Sequence, residues 1–354
     1  MRLLMKTSMT NESKRAQTVM QGRKGCASGR IVVIFEIYAV LLIIFLLTMQ
    51  VPVRPWPVEM LCQFLSWALL PSIFVFIGFM FARRWRAATL WVIPTIEFCY
   101  LFGGLFLPSL EIQRNRDSLS SGTDKHLRVM TYNLRGRAIG DLSAQIKLIR
   151  DSGAAIIALQ EVSQNLADMI DSQLDEIYPY RVLYPDGIAG TGILSKYPME
   201  DSDIFKISPN LFNHCRATID VEGTPVTVIS SHPPPPTNIA AFKFQARRYR
   251  EINELVRMAS EGGPSLLMGD FNMTDQSSDY RVPRGAGLHD TYREAGWGFG
   301  TTWPTRIKGK VPCMTLMRID YIWHTDEFYP VSVHVGGRAV SDHLPVIADF
   351  ILAD

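Results

Sequence analysis

Six short segments carry side chains that metal-assisted phosphate chemistry uses: Thr131-Tyr132-Asn133, Gln160-Glu161, Ser231-His232, Gly269-Asp270-Phe271-Asn272, Arg318-Ile319-Asp320-Tyr321 and Ser341-Asp342-His343. Glu161 and Asp342 are hard oxygen donors for a divalent cation. Mg²⁺ suits such a pair, because it keeps several of its waters and needs only one or two protein carboxylates. Asp270 and Asn272 could position a water, and His232 and His343 could stabilise or protonate phosphate oxygens. Any one of these residues alone reads more simply as a cap, a turn or a packed side chain. Together, in this order, they supply the parts that water attack on phosphorus requires.

Most of these residues follow an apolar run: Val129-Met130 leads into Asn133, Ile157-Ala158-Leu159 into Glu161, and Leu266-Leu267-Met268 into Asp270. Strand ends of a rigid sheet fix the backbone while the side chain faces a cleft. The patterning predicts strands over 126–132, 154–159, 181–184, 192–195, 216–221, 225–231, 265–268, 320–323, 331–335 and 346–350, and helices over 141–151, 165–176 and 239–260. About ten strands mixed with helices predict an α/β fold of two packed sheets with helices outside.

These motifs resemble the endonuclease/exonuclease/phosphatase superfamily, the fold of deoxyribonuclease I, over roughly residues 126–353. Gly269-Asp270-Phe271-Asn272 and Ser341-Asp342-His343-Leu344-Pro345 are the most specific, and Gly192 to Pro198 resembles a recurrent structural strand. The resemblance implies a four-layer α/β/β/α sandwich. It implies that Glu161 binds Mg²⁺, or Mn²⁺ in its place, with Asn133 beside it and Asp342 completing or flanking the shell. It assigns Asp270 to orienting or deprotonating the attacking water, and Asn272 to holding that water or the phosphate. His343 would contact the scissile phosphate, held by Asp320, and His232 would be a second phosphate-side histidine. A carboxylate behind an imidazole fixes its tautomer and favours the charged form, which suits that pairing. The chain departs from the abasic-endonuclease branch at Arg135, where that branch is acidic, so a second metal site is not implied. After His232 the run Pro233 to Pro236 forms a stiff segment that either walls the cleft or is a rigid loop.

The N-terminal third is different. Ile31 to Met49, Met60 to Phe81 and Ala88 to Leu107 are each about long enough to cross a hydrocarbon core, at about 20 residues per span. A buried helical domain is the alternative, and a cleaved signal peptide is disfavoured because two further apolar stretches follow the first. Seven basic residues precede the first stretch, and Arg83, Arg84 and Arg86 join the second to the third. The positive-inside tendency therefore predicts a multi-pass membrane protein with a cytoplasmic N-terminus, three transmembrane helices and an extracytoplasmic C-terminal domain. The expected division is a basic tail at 1–30, the membrane region at 31–107, a polar linker at 108–125 and the catalytic domain at 126–354. Glu97 lies within the third stretch as a packed or hydrogen-bonded carboxyl.

Residues 1–120 hold 13 Lys/Arg and 6 Asp/Glu, a net +7, while residues 121–354 hold 23 and 28, a net −5. A net-negative domain lacks the broad electrostatic footprint of a nucleic-acid binder, so nucleic acid is a disfavoured partner. The basic run Lys243, Arg247, Arg248 and Arg250 reads as a solvated helix face, because Glu251 and Glu254 interrupt it. Trp297, Trp303 and Trp323 read as packing residues, and Arg216 as a residue beside a strand that could touch substrate. Cys215 and Cys313 could pair in an oxidising compartment. The layout also resembles small membrane proteins linked to teicoplanin resistance, which implies a polyprenyl pyrophosphate substrate at the membrane. The alternatives are an anchored nuclease that cleaves DNA and a non-catalytic scaffold that keeps the fold. Oligomeric state has no signal in the sequence.

Overall fold

The structure is a computed structural model that describes residues 29–51, 54–107, 112, 125–138, 140–209, 211–236, 242–307 and 311–353. The basic tail and most of the linker lie outside the described residues, as does Cys26. The chain divides into two compact units: Met1–Arg54 with Ser66–Leu101, and Pro55–Leu65 with Phe102–Asp354.

The first unit contains α1 (Gly29–Thr48). Next in the chain come α2 (Trp56–Cys62), α3 (Leu65–Leu69), α4 (Pro71–Phe81) and α5 (Trp85–Phe102), and α2 belongs to the second unit. Two helices, α1 and Trp85–Phe106, are each long and apolar enough to cross a membrane, with mean hydropathies of 2.9 and 1.4. The stretch expected as one span over 60–81 is not one helix: it qualifies only as a broken pair, interrupted after Cys62. Gln63 lies at the break; its side-chain amide donates to Ser277 Oγ at 2.7 Å while its oxygen accepts from Thr274 N at 3.1 Å, contacts within the second unit, to which Pro55–Leu65 belongs. Glu97 is half-buried on α5.

The second unit is built on two six-stranded sheets and a small ribbon. The first sheet has the order β13-β14-β1-β2-β4-β3, from β1 (Lys125–Asn133), β2 (Ile156–Gln160), β3 (Tyr180–Tyr184), β4 (Thr191–Ser195), β13 (Phe328–Val335) and β14 (Val346–Leu352). The second runs β5-β6-β7-β8-β12-β9, from β5 (Met199–Phe205), β6 (His214–Val221), β7 (Thr224–Ser231), β8 (Ser265–Asp270), β9 (His289–Asp290) and β12 (Asp320–His324). β10 (Arg306–Ile307) and β11 (Val311–Pro312) form the ribbon. Among the described residues, only β1 with β2 and β7 with β8 pair in parallel, one such pair at the heart of each sheet. The sheets face one another, β1 and β2 lying over β7, β8 and β12.

Helices α6 (Ser143–Asp151) and α7 (Gln164–Gln173) cover the outer face of the first sheet, where Ile146, Ile149, Leu166 and Ile170 pack on Met130, Tyr132, Ile157 and Leu159. Helix α8 (Phe242–Ser260) covers the second, packing Ile252, Leu255 and Val256 on Ile229, Leu267 and Trp323. The two-sheet α/β sandwich is thus present. Cys215, buried in β6, and Cys313 are both free thiols, so the disulfide considered for them does not form.

Strand periodicity places the site. Residues i and i+2 share a face. Met130, Tyr132, Ile157, Leu159, Leu267, Tyr321 and Trp323 belong to the outer helix-facing clusters. Their neighbours Asn133, Gln160, Asp270 and Asp320 therefore point between the sheets, where apolar strand residues give way to polar ones. Gln160 shows the change: its amide donates to Ser230 Oγ on the opposite sheet at 3.1 Å. Gly269 is required at its position, because it has φ +154° and a Cβ there would sit 1.9 Å from the Ser231 carbonyl oxygen on β7. Without a side chain at 269, β8 runs flush against β7 and delivers Asp270 to the strand end.

Candidate active site

The structure brings all eight sequence-predicted residues to one end of the sandwich. Asp270 is their meeting point. Its Oδ2 accepts from Asn133 Nδ2 at 2.9 Å and lies 3.5 Å from His232 Nε2 and 3.6 Å from His343 Nε2. Its Oδ1 accepts from the Asn272 backbone N–H at 2.9 Å. β8 and β12 pair antiparallel with Asp270 opposite Asp320, and Asp320 reaches His343 Nδ1 at 3.0 Å. Asn133 also donates to Glu161 Oε1 at 3.2 Å, and Glu161 Oε2 accepts from the Gly136 N–H at 2.9 Å. Ser341 organises the last motif: its hydroxyl donates to the Asn133 carbonyl at 2.7 Å and accepts from His343 N at 3.0 Å. Asn272 Nδ2 donates to the Pro233 carbonyl at 3.0 Å, tying the proline run to the site.

Backbone strain collects at the same place. Arg135, Glu161 and Asn272 have φ of +56°, +54° and +49°, in the left-handed region that residues with side chains rarely occupy. Such strain costs of order 1–3 kcal/mol per residue and persists only where surrounding contacts enforce it. The bonds from Gly136 to Glu161 and from Asn272 to Asp270 and Pro233 do so.

The two histidines are driven apart in charge. Burial alone lowers the His343 imidazole, but the charges of Asp320 and Asp270 outweigh it and push it up to about 10. His232 is depressed to about 3, chiefly by burial and then by the charge on His343. At neutral pH the site holds one imidazolium and one neutral imidazole. Burial pushes the Asp270 carboxyl up to about 7, opposed by His343.

Among the described residues, the tightest group of metal-type donors is Asp270, Asp320 and His343, with ligand atoms within 4.8 Å of one another. An imidazolium clamped between two carboxylates is an ion pair, and a ring protonated on both nitrogens has no lone pair for a cation. Glu161 and Asp342 fit a hard cation better. Both open onto the cleft. Burial, and more weakly the charge of Asp342, raise the Glu161 carboxyl, so a cation between these oxygens would relieve both effects. Asp342 also lies 3.6 Å from the Arg135 guanidinium. Asn133 and Asp320 are fully buried behind the rest, and both faces of the Asn133 amide are hydrogen-bonded.

A cavity of about 610 Å³ adjoins these groups, lined by Glu161, Asp270, Asp342 and His343 at one end. Pro235 and Pro236 line it too, which settles the role of the proline run as a cleft wall. Two parts of the site carry no sequence signal. Arg248 reads as a solvated helix residue in the sequence but is 2 % exposed. It donates to the Pro234 and Phe271 carbonyls and pairs with Asp279 at 2.8 Å, so it braces the wall and the strand end together. The second is α2, which contributes Met60 to the lining, joined by Gln63 and Phe64 just beyond it. Neither had a local signal, since each acts through contacts distant in sequence. Trp303 lines the cavity as well, whereas Trp323 is buried in the outer core. Arg216 is exposed on β6 and does not line the cavity, and Arg247 and Arg250 are exposed on α8.

The profile of the Endonuclease/Exonuclease/phosphatase family matches residues 130–343. The uncharacterized protein YbhP of Escherichia coli (strain K12) is 27 % identical over 193 residues, covering 53 % of this chain and 72 % of that protein. Among solved structures, an endonuclease/exonuclease/phosphatase from Beutenbergia cavernae superposes with a TM-score of 0.52 and 21 % identity, over 65 % of this chain and 72 % of its own. TDP2 from D. rerio, solved in complex with a single-strand DNA product, superposes with a TM-score of 0.54 and 18 % identity, over 64 % of this chain and 99 % of its own. At these identities the two structures share the fold.

Proposed function

Because this chain belongs to the endonuclease/exonuclease/phosphatase family, whose members are typically phosphoester hydrolases that use divalent metal ions, we propose that it is a membrane-anchored hydrolase of phosphoric ester or anhydride bonds. Its substrate is a lipid-linked phosphate of the polyprenyl pyrophosphate or phospholipid type. The observation that carries this reading is the convergence of Glu161, Asp342, Asp270 and His343 on one cavity. Glu161 and Asp342, with Asn133 beside them, would hold Mg²⁺ or Mn²⁺. When bound, the cation neutralises charge on the phosphoryl oxygens. Asp270 takes a proton from the attacking water, whose oxygen bonds to phosphorus as the opposite P–O bond breaks. Asn272 orients that water or a phosphate oxygen. The His343 imidazolium, held by Asp320, supplies positive charge where it builds up on the phosphate. Neutral His232 donates a hydrogen bond from the other side.

The membrane reading rests on chain connectivity. Pro55–Leu65 and Phe102–Asp354 form one compact unit, so both lie on one side of any bilayer the chain spans. In this reading α1 and Trp85–Phe106, each long and apolar enough to cross, are two spans, and Leu65–Phe81, the longer part of the broken stretch, supplies the return crossing between Pro55–Leu65 and Phe102–Asp354. Exposed Ile34, Leu41, Leu47, Phe74 and Ile96 give these helices an apolar surface suited to hydrocarbon. The charge on the Arg83 to Arg86 turn supports a cytoplasmic turn and a catalytic unit outside.

DNA is the competing substrate, on the strength of the TDP2 complex. The net −5 of residues 121–354 argues against it. The purified full-length protein with Mg²⁺, assayed on a polyprenyl pyrophosphate, a phospholipid and plasmid DNA, separates the readings. We expect hydrolysis of a lipid-linked phosphate and little of DNA. Turnover of DNA alone would refute the lipid reading, and inactivity on all three would leave a scaffold.

A further inference from the structure

We infer that Met60 and Phe64, on the segment between the first two apolar helices, seat the hydrocarbon of an amphiphilic phosphate directly beside the scissile group. This rests on the phosphohydrolase reading above and adds the element that selects the substrate. The segment presents two faces at helical spacing. Trp56, Glu59 and Gln63, at i, i+3 and i+7, grip the body of the catalytic unit, while Met60 and Phe64, at i and i+4, line the cavity. The grip is polar and mostly buried. Trp56 Nε1 donates to the Pro236 carbonyl at 3.1 Å, and Glu59 Oε1 accepts from Ser278 N at 2.8 Å. Gln63 bonds both Ser277 and Thr274. Its anchoring loop starts two residues beyond Asn272, so the wall is registered to the catalytic strand end.

Phe212, with its ring 4.5 Å from that of His232, Trp303, 6.4 Å from the His343 ring, and Met317 line the same cavity, so apolar side chains stand beside the Asp270–His343 group. A headgroup bound there would lead its chain onto apolar side chains. Phe64 is 43 % exposed at this wall, an apolar ring still open to a partner. Chain connectivity supplies the occupant. In the sequence α2 begins eight residues after α1 ends, so the cavity wall follows directly on a helix apolar enough to cross a membrane. An amphiphile from the same bilayer is therefore within reach of the cavity.

The test uses the full-length protein in detergent with Mg²⁺ and isoprenyl pyrophosphates of five and fifteen carbons. Burying even part of ten added carbons should raise kcat/KM by at least about tenfold. We expect that ratio in the parent and its collapse to within about threefold of unity in Met60→Ser and Phe64→Ser. Phe64→Leu, which keeps an apolar side chain, should retain it. A parent ratio near one, a ratio unchanged in the serine variants, or an equal collapse in Phe64→Leu would overturn the inference while leaving the phosphohydrolase reading intact. Turnover of DNA with neither pyrophosphate cleaved would instead remove the reading beneath it.

Discussion

His343→Ala lowers kcat by about 10²–10⁴-fold, the range lost with a positioned charge or proton carrier. The imidazole is 5 % exposed and pairs through Nδ1 with Asp320, so it would meet a phosphate already charged and oriented. Alanine removes that charge and leaves two buried carboxylates facing one another, Asp270 and Asp320, which also costs stability. His343→Gln refills the space and keeps a donor toward Asp320. It should lose comparable activity with a higher melting temperature than the alanine variant. Asp320→Asn acts through His343, so Asp320→Asn combined with His343→Ala should be no slower than His343→Ala alone. Steady-state rates with far-UV circular dichroism on each variant check this. Near-parent turnover by folded His343→Gln would remove the residue from the mechanism.

Asp270→Asn produces the second large loss, about 10³-fold or more in kcat. Asn272 N–H and the Asn133 amide both donate to the Asp270 carboxylate, and an asparagine offers an acceptor to only one of them. The substitution therefore removes the base and disturbs the group that aligns it. Burial pushes Asp270 up to about 7, and its charged form is the active one, so activity falls as pH drops through that region. A bound cation shifts the fall to lower pH. His343, pushed up to about 10, must stay protonated, so activity also falls at high pH. The parent profile is therefore a bell, and Asp270→Asn should lack its acidic limb. A parent-like acidic limb in the variant would assign the base to another group.

Much of the site was legible because strand periodicity and strand-end motifs are local signals. Asn133, Asp270 and Asp320 stand on the inner faces that alternation with Met130, Leu267 and Tyr321 assigns them, and the helices over α6, α7 and α8 fall within a few residues of expectation. What escaped was set by long-range contacts. β5, with its run of exposed polar residues, gives no apolar alternation and was not expected. The second apolar stretch breaks next to Gln63, whose partners Ser277 and Thr274 lie more than two hundred residues away in sequence. Arg248 reads as a surface charge until Asp279 and two carbonyls are seen to enclose it. A charged side chain in a helix carries no local mark of such a partner.

Glu161 and Asp342, far apart along the chain, are proposed to hold a divalent cation on which hydrolysis depends. Mg²⁺ titration of the hydrolysis rate by the chelator-treated full-length protein, run beside Glu161→Gln, tests this. Negligible activity is expected without metal, full recovery on adding Mg²⁺, and a half-saturating Mg²⁺ concentration at least about tenfold higher in Glu161→Gln, in line with the loss of one charged ligand. Hydrolysis that survives chelation, or an unshifted titration in Glu161→Gln, would contradict it.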